Sequence, residues 1–257
     1  MIYVCIPSYD EGPTIGLVLW KIRRVFEEFP REYQLLVVDD ASTDETPEVL
    51  EPYSRVLPLT VVRHATRRGY AKSVEELVHL TLERTDRPKR DALVLMHGDF
   101  AHGPQYLPDF VRRLESGADL VVGEAVSLEG EPSRSMRLVR RWSRLLLPGR
   151  FRIPGVRDMV SGFAAFRLIT LRNALRHPTA TLLGSDGWAA SAELLARAAR
   201  HARRIETVPV VERHDLRTRE SRARPWETAR RIWGSSRAVD LPAEEASPGP
   251  RRVEGAA

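Results

Sequence analysis

Short apolar runs alternate with longer stretches of helical periodicity through the first half of the chain. Strand-like runs at 2–6, 34–39, 59–63, 92–96 and 119–124 are separated by segments at about 13–28, 44–51, 69–84 and 104–115, where apolar residues recur every three to four positions. This alternation predicts parallel strands joined by right-handed crossovers, an α/β architecture. In the first helical segment Pro13 falls in the first turn, and Ile15, Leu19, Ile22, Val25 and Phe26 share one face that packs on the sheet. Acidic and small residues gather where the strands run out: Pro7-Ser8-Tyr9-Asp10-Glu11, Asp39-Asp40-Ala41-Ser42-Thr43-Asp44, His97-Gly98-Asp99 and Gly123-Glu124. In open α/β sheets that edge is where ligands bind.

The order changes after Glu124. Met136, Val139, Trp142, Leu145 and Leu146 form an apolar helical stripe, while Arg134, Arg137, Arg140, Arg141 and Arg144 occupy much of the remaining surface, which predicts an amphipathic cationic helix. A passage broken by Pro and Gly from Pro148 to Gly155 follows. Then come a strand-like run at 161–166, a helix over about 186–201 and a strand over 205–211. Residues 235–257, rich in Pro, Ala, Glu and Gly, have little to bury and are expected to be disordered. The chain therefore divides into one domain at 1–234, with a first half at about 1–125 and a second at about 126–234, plus the tail at 235–257.

With 257 residues and 42% hydrophobic content the chain buries a sizeable core in one unit. Its single cysteine, Cys5, lies inside the first apolar run, which fits a reducing compartment. No secretory leader is expected, since strand-like residues begin at Ile2. No apolar run approaches the roughly 18 residues of a membrane helix, so any membrane contact is expected to be peripheral. The net charge of +5 is compatible with anionic ligands, membranes or nucleic acid, and its placement narrows the choice. Positive charge concentrates after the first half, in the 134–144 stripe and again around Arg224-Pro225-Trp226 to Trp233. That blend of Arg and Trp suits a membrane interface. Regularly spaced stacking aromatics and a recognised nucleic-acid module are both missing, so nucleic acid is not an expected partner.

With these segments placed, the sequence resembles the family 2 glycosyltransferases, and within them the polyprenyl-phosphate sugar synthases. The resemblance spans about residues 2–222. It rests on Ile6-Pro7-Ser8-Tyr9-Asp10-Glu11, Val37 to Thr46, the Asp99 turn with His102 and Pro104, Gly117 to Gly123, Arg157 to Phe163 and Val208-Pro209-Val210, in the family's order. It implies a GT-A fold, Rossmann-like, with a mostly parallel central sheet flanked by helices, here in a single domain with amphipathic helical extensions. It also implies a nucleotide-sugar donor, GDP-mannose or a UDP-hexose, a divalent cation, Mg²⁺ or Mn²⁺, and inverting transfer to a polyprenyl phosphate at the cytoplasmic face of the membrane. Many relatives end in transmembrane helices; here a membrane surface or a membrane-embedded partner is the implied substitute.

By the same resemblance Pro7, Tyr9, Glu11 and Asp39 line the nucleoside pocket, where a carboxylate accepts a hydrogen bond from the base N–H, and Arg68 and Gly69 belong to a turn that closes over the nucleotide. Relatives carry Asp-x-Asp followed by Leu-Gln-His; here the matching residues are His97-Gly98-Asp99 and Phe100-Ala101-His102. Asp99 is the expected cation ligand, sufficient where substrate phosphates fill the shell. His97 stands where the first Asp would, as a ligand, a donor to phosphate or a bystander. Arg157 and Ser161 match acceptor-phosphate contacts, and Arg144 is the third expected. A phosphate nucleophile is already anionic and needs positioning rather than a base. A hydroxyl acceptor would need one, with Asp186 or Glu193 as candidates, although Asp186 also reads as an N-cap and Glu193 as a partner of the arginines. A catalytically weak sugar-nucleotide-binding subunit is a further alternative, motivated by His97.

Overall fold

The computed structural model describes residues 1–129, 152–175, 183–184 and 186–213. The cationic stripe with Arg144, the 217–233 region and the tail lie outside them. Along the chain run β1 (Ile2–Ser8), α1 (Gly12–Glu28), β2 (Tyr33–Asp39), α2 (Thr46–Val56), β3 (Leu59–Arg63), α3 (Tyr70–Arg84), β4 (Ala92–Leu95), a 3-10 turn (Pro104–Tyr106), α4 (Leu107–Glu115), β5 (Leu120–Glu129), β6 (Ala164–Arg167), α5 (Leu168–Ala174), α6 (Trp188–Ala199) and β7 (Ile205–Arg213).

The strands form one seven-stranded sheet in the order β3-β2-β1-β4-β6-β5-β7. β1 pairs in parallel with β2 on one side and β4 on the other, which places the reversal of strand order, and hence a crevice, at the ends of β1 and β4. β6 is the exception: it runs antiparallel to both β4 and β5. The apolar pattern could not show this direction, because a strand buried on both faces looks alike either way round.

Both faces of the sheet are covered. Tyr3, Cys5, Leu36 and Val38 point to a core shared with α3, α5 and α6. Val4, Ile6, Leu35 and Val37 point to a second core with α1 and α4. Neighbouring residues of β1 thus serve opposite cores, which is why the strand reads as an unbroken apolar run. Several elements differ from the sequence reading. β5 runs past its expected end at 124 to Glu129, paired with β7, and β6 begins at Ala164 rather than 161. α2 continues through Pro52 to Val56 because Leu50 and Tyr53 pack inward. A 3-10 turn precedes α4. α5, too short to show a period, is unanticipated. Among the described residues no helix is long and apolar enough to cross a membrane.

Candidate active site

The turns after β1, β2 and β4 meet at one edge of the sheet. Their sequences are bent hard. Asp10, Ala41 and Phe100, one in each turn, have positive φ (48°, 60° and 62°) although none is glycine. Such conformations cost on the order of 1–3 kcal/mol each and persist only where surrounding bonds impose them. Those bonds run from turn to turn. Asp10 N–H donates to Ser42 Oγ (2.8 Å) and Thr43 N–H to Asp10 Oδ1 (2.7 Å). Gly12 N–H donates to Asp44 Oδ2 (3.0 Å) and Glu11 N–H to Thr46 Oγ1 (2.8 Å). Thr14 Oγ1 donates to Gly98 O (2.8 Å), tying α1 to the β4 turn. Asp44 joins two helix starts: Oδ1 accepts the Thr46 N–H of α2 (3.0 Å), and the other oxygen fastens the start of α1.

Of the residues expected to hold a nucleotide, Pro7 and Asp39 are buried and Tyr9 and Glu11 half-buried on this edge. Asp39 is 1% exposed. Its Oδ1 accepts the Ser42 N–H (3.0 Å), whereas the buried Oδ2 accepts no hydrogen bond and has only the Arg63 Nε at 3.4 Å, an ion pair without hydrogen-bond alignment. A buried carboxylate oxygen in that state is an acceptor poised for a donor. The Arg67 guanidinium stacks over the Tyr9 ring at 4.0 Å, joining the β1 and β3 turns beside it. Arg68 and Gly69 donate their backbone N–H groups to Asp40 (2.7 and 2.8 Å), and Gly69 has φ 93°, a conformation that requires glycine there.

Asp99 lies at the end of β4, with Oδ1 accepting the Ala101 N–H (3.0 Å). His97 is placed differently from a simple replacement of a carboxylate. Its ring stacks on Tyr70 (5.6 Å between centroids) and His102 (6.0 Å), and its Nε2 fills the space where any Cβ on Gly162 would sit, 1.8 Å from that position. The row continues through Phe163 to Phe110, so aromatic and imidazole rings run from α3 to α4 beneath the turn. Among the described residues no group of three or more metal-binding side chains exists. What Asp99 offers is one carboxylate, a donor set that fits a Mg²⁺ or Mn²⁺ ion carried in by a diphosphate rather than one held by the protein alone.

Because β6 is reversed, the segment 157–163 that leads into it reaches the same edge. Arg157 is exposed and donates its backbone N–H to Glu124 Oε1 (2.5 Å). Ser161 is buried, its hydroxyl exchanging hydrogen bonds with the backbone of Phe163 (3.2 Å each way). Arg144 lies outside the described residues.

Of the two carboxylates considered as bases, Glu193 has both oxygens engaged, whereas Asp186 is engaged through Oδ1 and has Oδ2 beside Gly69. Glu193 is fully buried: Oε1 accepts from Arg197 Nε and Nη2 (3.0 and 2.9 Å), and Oε2 accepts the Gly184 N–H (2.9 Å). The exposed Asp186 accepts the Ala71 N–H with Oδ1 (3.0 Å), so beyond its bond to Gly187 N–H it caps α3 from across the molecule. Tyr70, the first residue of α3, bridges His97 and α6. Its hydroxyl meets Ser191 Oγ (3.1 Å); burial pushes its phenol up to about 12, opposed by that hydrogen bond and reinforced by Asp186 and Asp99. Arg63 and Glu124 were also missed, each visible in the sequence only as a charge next to a strand end.

Residues 3–175 match the model of glycosyl transferase family 2. The chain is 26% identical over 170 residues to a dolichol-phosphate mannosyltransferase of Pyrococcus furiosus, covering 64% of this chain but 45% of that protein, so it spans about half the length of this relative. It is 29% identical over 208 residues to an undecaprenyl-phosphate mannosyltransferase of Micrococcus luteus, covering 80% of each. In fold it is similar to glucosyl-3-phosphoglycerate synthase of Mycobacterium tuberculosis, solved with Mn²⁺, UDP and glucosyl-3-phosphoglycerate, with a TM-score of 0.59, 20% identity and 93% and 77% of the two chains covered. The family's motifs and the seven-stranded α/β fold are thus found together, and the chain belongs to glycosyl transferase family 2.

Proposed function

We propose that the chain transfers a sugar from a nucleotide sugar, GDP-mannose or a UDP-hexose, to a polyprenyl phosphate with inversion at the anomeric carbon. Asp39 carries the donor half of this reading: it ends β2 at the edge where α/β sheets bind ligands, and its buried Oδ2, without a hydrogen bond, is the acceptor for the base N–H. Pro7, Tyr9 and Glu11 line the nucleoside, and the Arg68–Gly69 turn closes over it. The acceptor half rests on the bonds that Glu193 and Asp186 already make. With Glu193 sealed against Arg197 and Asp186 capping α3, the acceptor that suits this site is one that brings its own negative charge. The two relatives named for polyprenyl-phosphate mannosyl transfer support the same class.

In the reaction a phosphate oxygen of the lipid attacks the anomeric carbon as the bond from that carbon to the nucleoside diphosphate breaks, in one displacement. The residues of the chain bind and orient. Asp39 fixes the base, and Arg157, with Arg144, holds the acceptor phosphate; each charge-assisted hydrogen bond contributes about 1.5–3 kcal/mol. Ser161 shapes the approach by holding the turn at Phe163. Asp99 would hold the divalent cation, which when bound neutralises charge developing on the leaving diphosphate. We place the enzyme peripherally at the cytoplasmic face of the membrane, through a lipid surface or a membrane-embedded partner.

The test is transfer of labelled sugar from GDP-mannose, UDP-glucose and UDP-N-acetylglucosamine into organic-extractable polyprenyl phosphate, with Mg²⁺ or Mn²⁺ and with chelator. Lipid labelling abolished by chelator and by Asp99→Ala is the expected result. Donor hydrolysis without lipid product would move the reading to a hydroxyl acceptor, and nucleotide binding with neither reaction to a non-catalytic subunit.

A further inference from the structure

His64 is not part of the family motifs on which the resemblance rests, yet it is among the most constrained side chains near the site. It follows β3, its side chain is 3% exposed, and its backbone N–H donates to Asp39 O (2.9 Å). Both ring nitrogens face carboxylate oxygens: Nδ1 lies 2.6 Å from Asp40 Oδ1 at the end of β2, and Nε2 lies 2.9 Å from Glu76 Oε2 on α3. A carboxylate oxygen accepts and does not donate, so each ring nitrogen must supply a hydrogen. Moving one of those protons to a carboxyl is disfavoured by the other partners. Asp40 also accepts two backbone N–H groups, from Arg68 and Gly69, and Glu76 also faces the Arg68 guanidinium (3.2 Å). The charged groups around the ring are therefore Asp40, Glu76 and Arg68, and the arrangement closes only with an imidazolium at its centre.

Asp40 is thus the pivot and His64 its brace. The same carboxylate that takes the imidazolium holds both N–H groups of the Arg68–Gly69 turn, and Gly69 is in turn the residue from which α3 starts. A braced Asp40 keeps that turn in its bound shape before any ligand arrives, which lowers the ordering cost of binding. We propose that His64, as a buried imidazolium bridging Asp40 and Glu76, is a positioning residue that preorganises the Arg68–Gly69 turn for the nucleotide donor. This rests on the reading, given above, that the turn closes over a nucleotide.

The experiment uses the full chain with UDP and GDP as ligands. Long-range ¹H–¹⁵N spectra of the histidine-labelled protein at neutral pH, with the His64 signal assigned by its loss in His64→Gln, are expected to show both ring nitrogens protonated. Calorimetry is expected to show at least a tenfold weaker affinity for the nucleotide that the wild-type chain binds, in His64→Gln and in His64→Phe. Leu171→Ala, a buried change on α5 at the opposite edge of the sheet, is expected to lower stability while leaving that affinity within about twofold. A bare ring nitrogen on His64, or variants that unfold more easily yet bind as the wild type does, would overturn the inference. A wild-type chain that binds neither nucleotide would overturn the donor site itself and this inference with it, an outcome told apart because there the wild type is silent too.

Discussion

Replacing Glu193 with Gln separates a structural carboxylate from a catalytic one. Glu193 is 0% exposed and Arg197 6%, and three hydrogen bonds converge on the carboxylate, two from the guanidinium and one from Gly184 N–H. Removing one side of such a buried pair costs about 3–5 kcal/mol, because the remaining charge stays in low dielectric without its partner. Gln keeps one acceptor oxygen but turns an NH₂ toward either Arg197 or Gly184, donor against donor, so we expect the lower end, about 3 kcal/mol. For a chain of this size that corresponds to a fall of about 6–12 °C in Tm, at about 2–4 °C per kcal/mol. Urea and thermal unfolding measure it. Assayed well below the transition, kcat should stay within about threefold of the wild type. The double change Glu193→Leu with Arg197→Leu should recover most of the lost stability, since a well-packed apolar pair often replaces a buried ion pair without loss. A stability change under about 1 kcal/mol together with a hundredfold fall in kcat would refute this reasoning and restore Glu193 as a base.

Gly162→Ala should lower stability by about 1–3 kcal/mol, since its Cβ would meet His97 Nε2 at 1.8 Å, and most of that loss should vanish when His97→Ala is added; denaturant titration of the two variants decides it. Tyr70→Phe should cost about 1 kcal/mol at neutral pH for the lost Ser191 bond, read by the same titration. In the wild type the raised phenol makes the neutral form the one favoured by folding, so its contribution is present below about 10 and drains away as pH climbs through about 12. The Cys5 thiol, pushed up to about 12 by burial, should resist a thiol reagent in the native protein at pH 8 and react at once in urea; rapid native labelling would contradict its burial.

The edge where the turns after β1, β2 and β4 meet was legible because it is written in local chemistry. The apolar runs of β1, β2 and β4 and the acidic residues after them mark that edge, where Asp39 and Asp40 stay buried past the apolar run of β2. What escaped depends on contacts far apart in sequence. His64 acquires its role from Glu76 and Asp40, and Asp186 from Ala71, 115 positions away. No period or motif records such a meeting. His97 was open between ligand, donor and bystander in the sequence, and the structure places its ring in a niche made by Gly162, a neighbour supplied by another loop. The direction of β6 was hidden for a different reason, since burial on both faces erases the alternation that a half-exposed strand would show.

That reversed strand has a consequence for how such a chain can diversify. β5 and β6 are antiparallel, with Val122 and Ala164 facing each other, so the chain leaves the sheet along β5 and returns along β6 at the edge where the candidate site lies. What the stretch between the two strands brings back to the sheet is not freely exchangeable: Ile153, Val156, Met159 and Val160 enter the core shared with α3, α5 and α6, Phe163 enters the other, and Gly162 leaves room for the His97 ring. A chimera that exchanges this stretch therefore has to keep those buried residues and Gly162 if the edge of the sheet is to stay as it is.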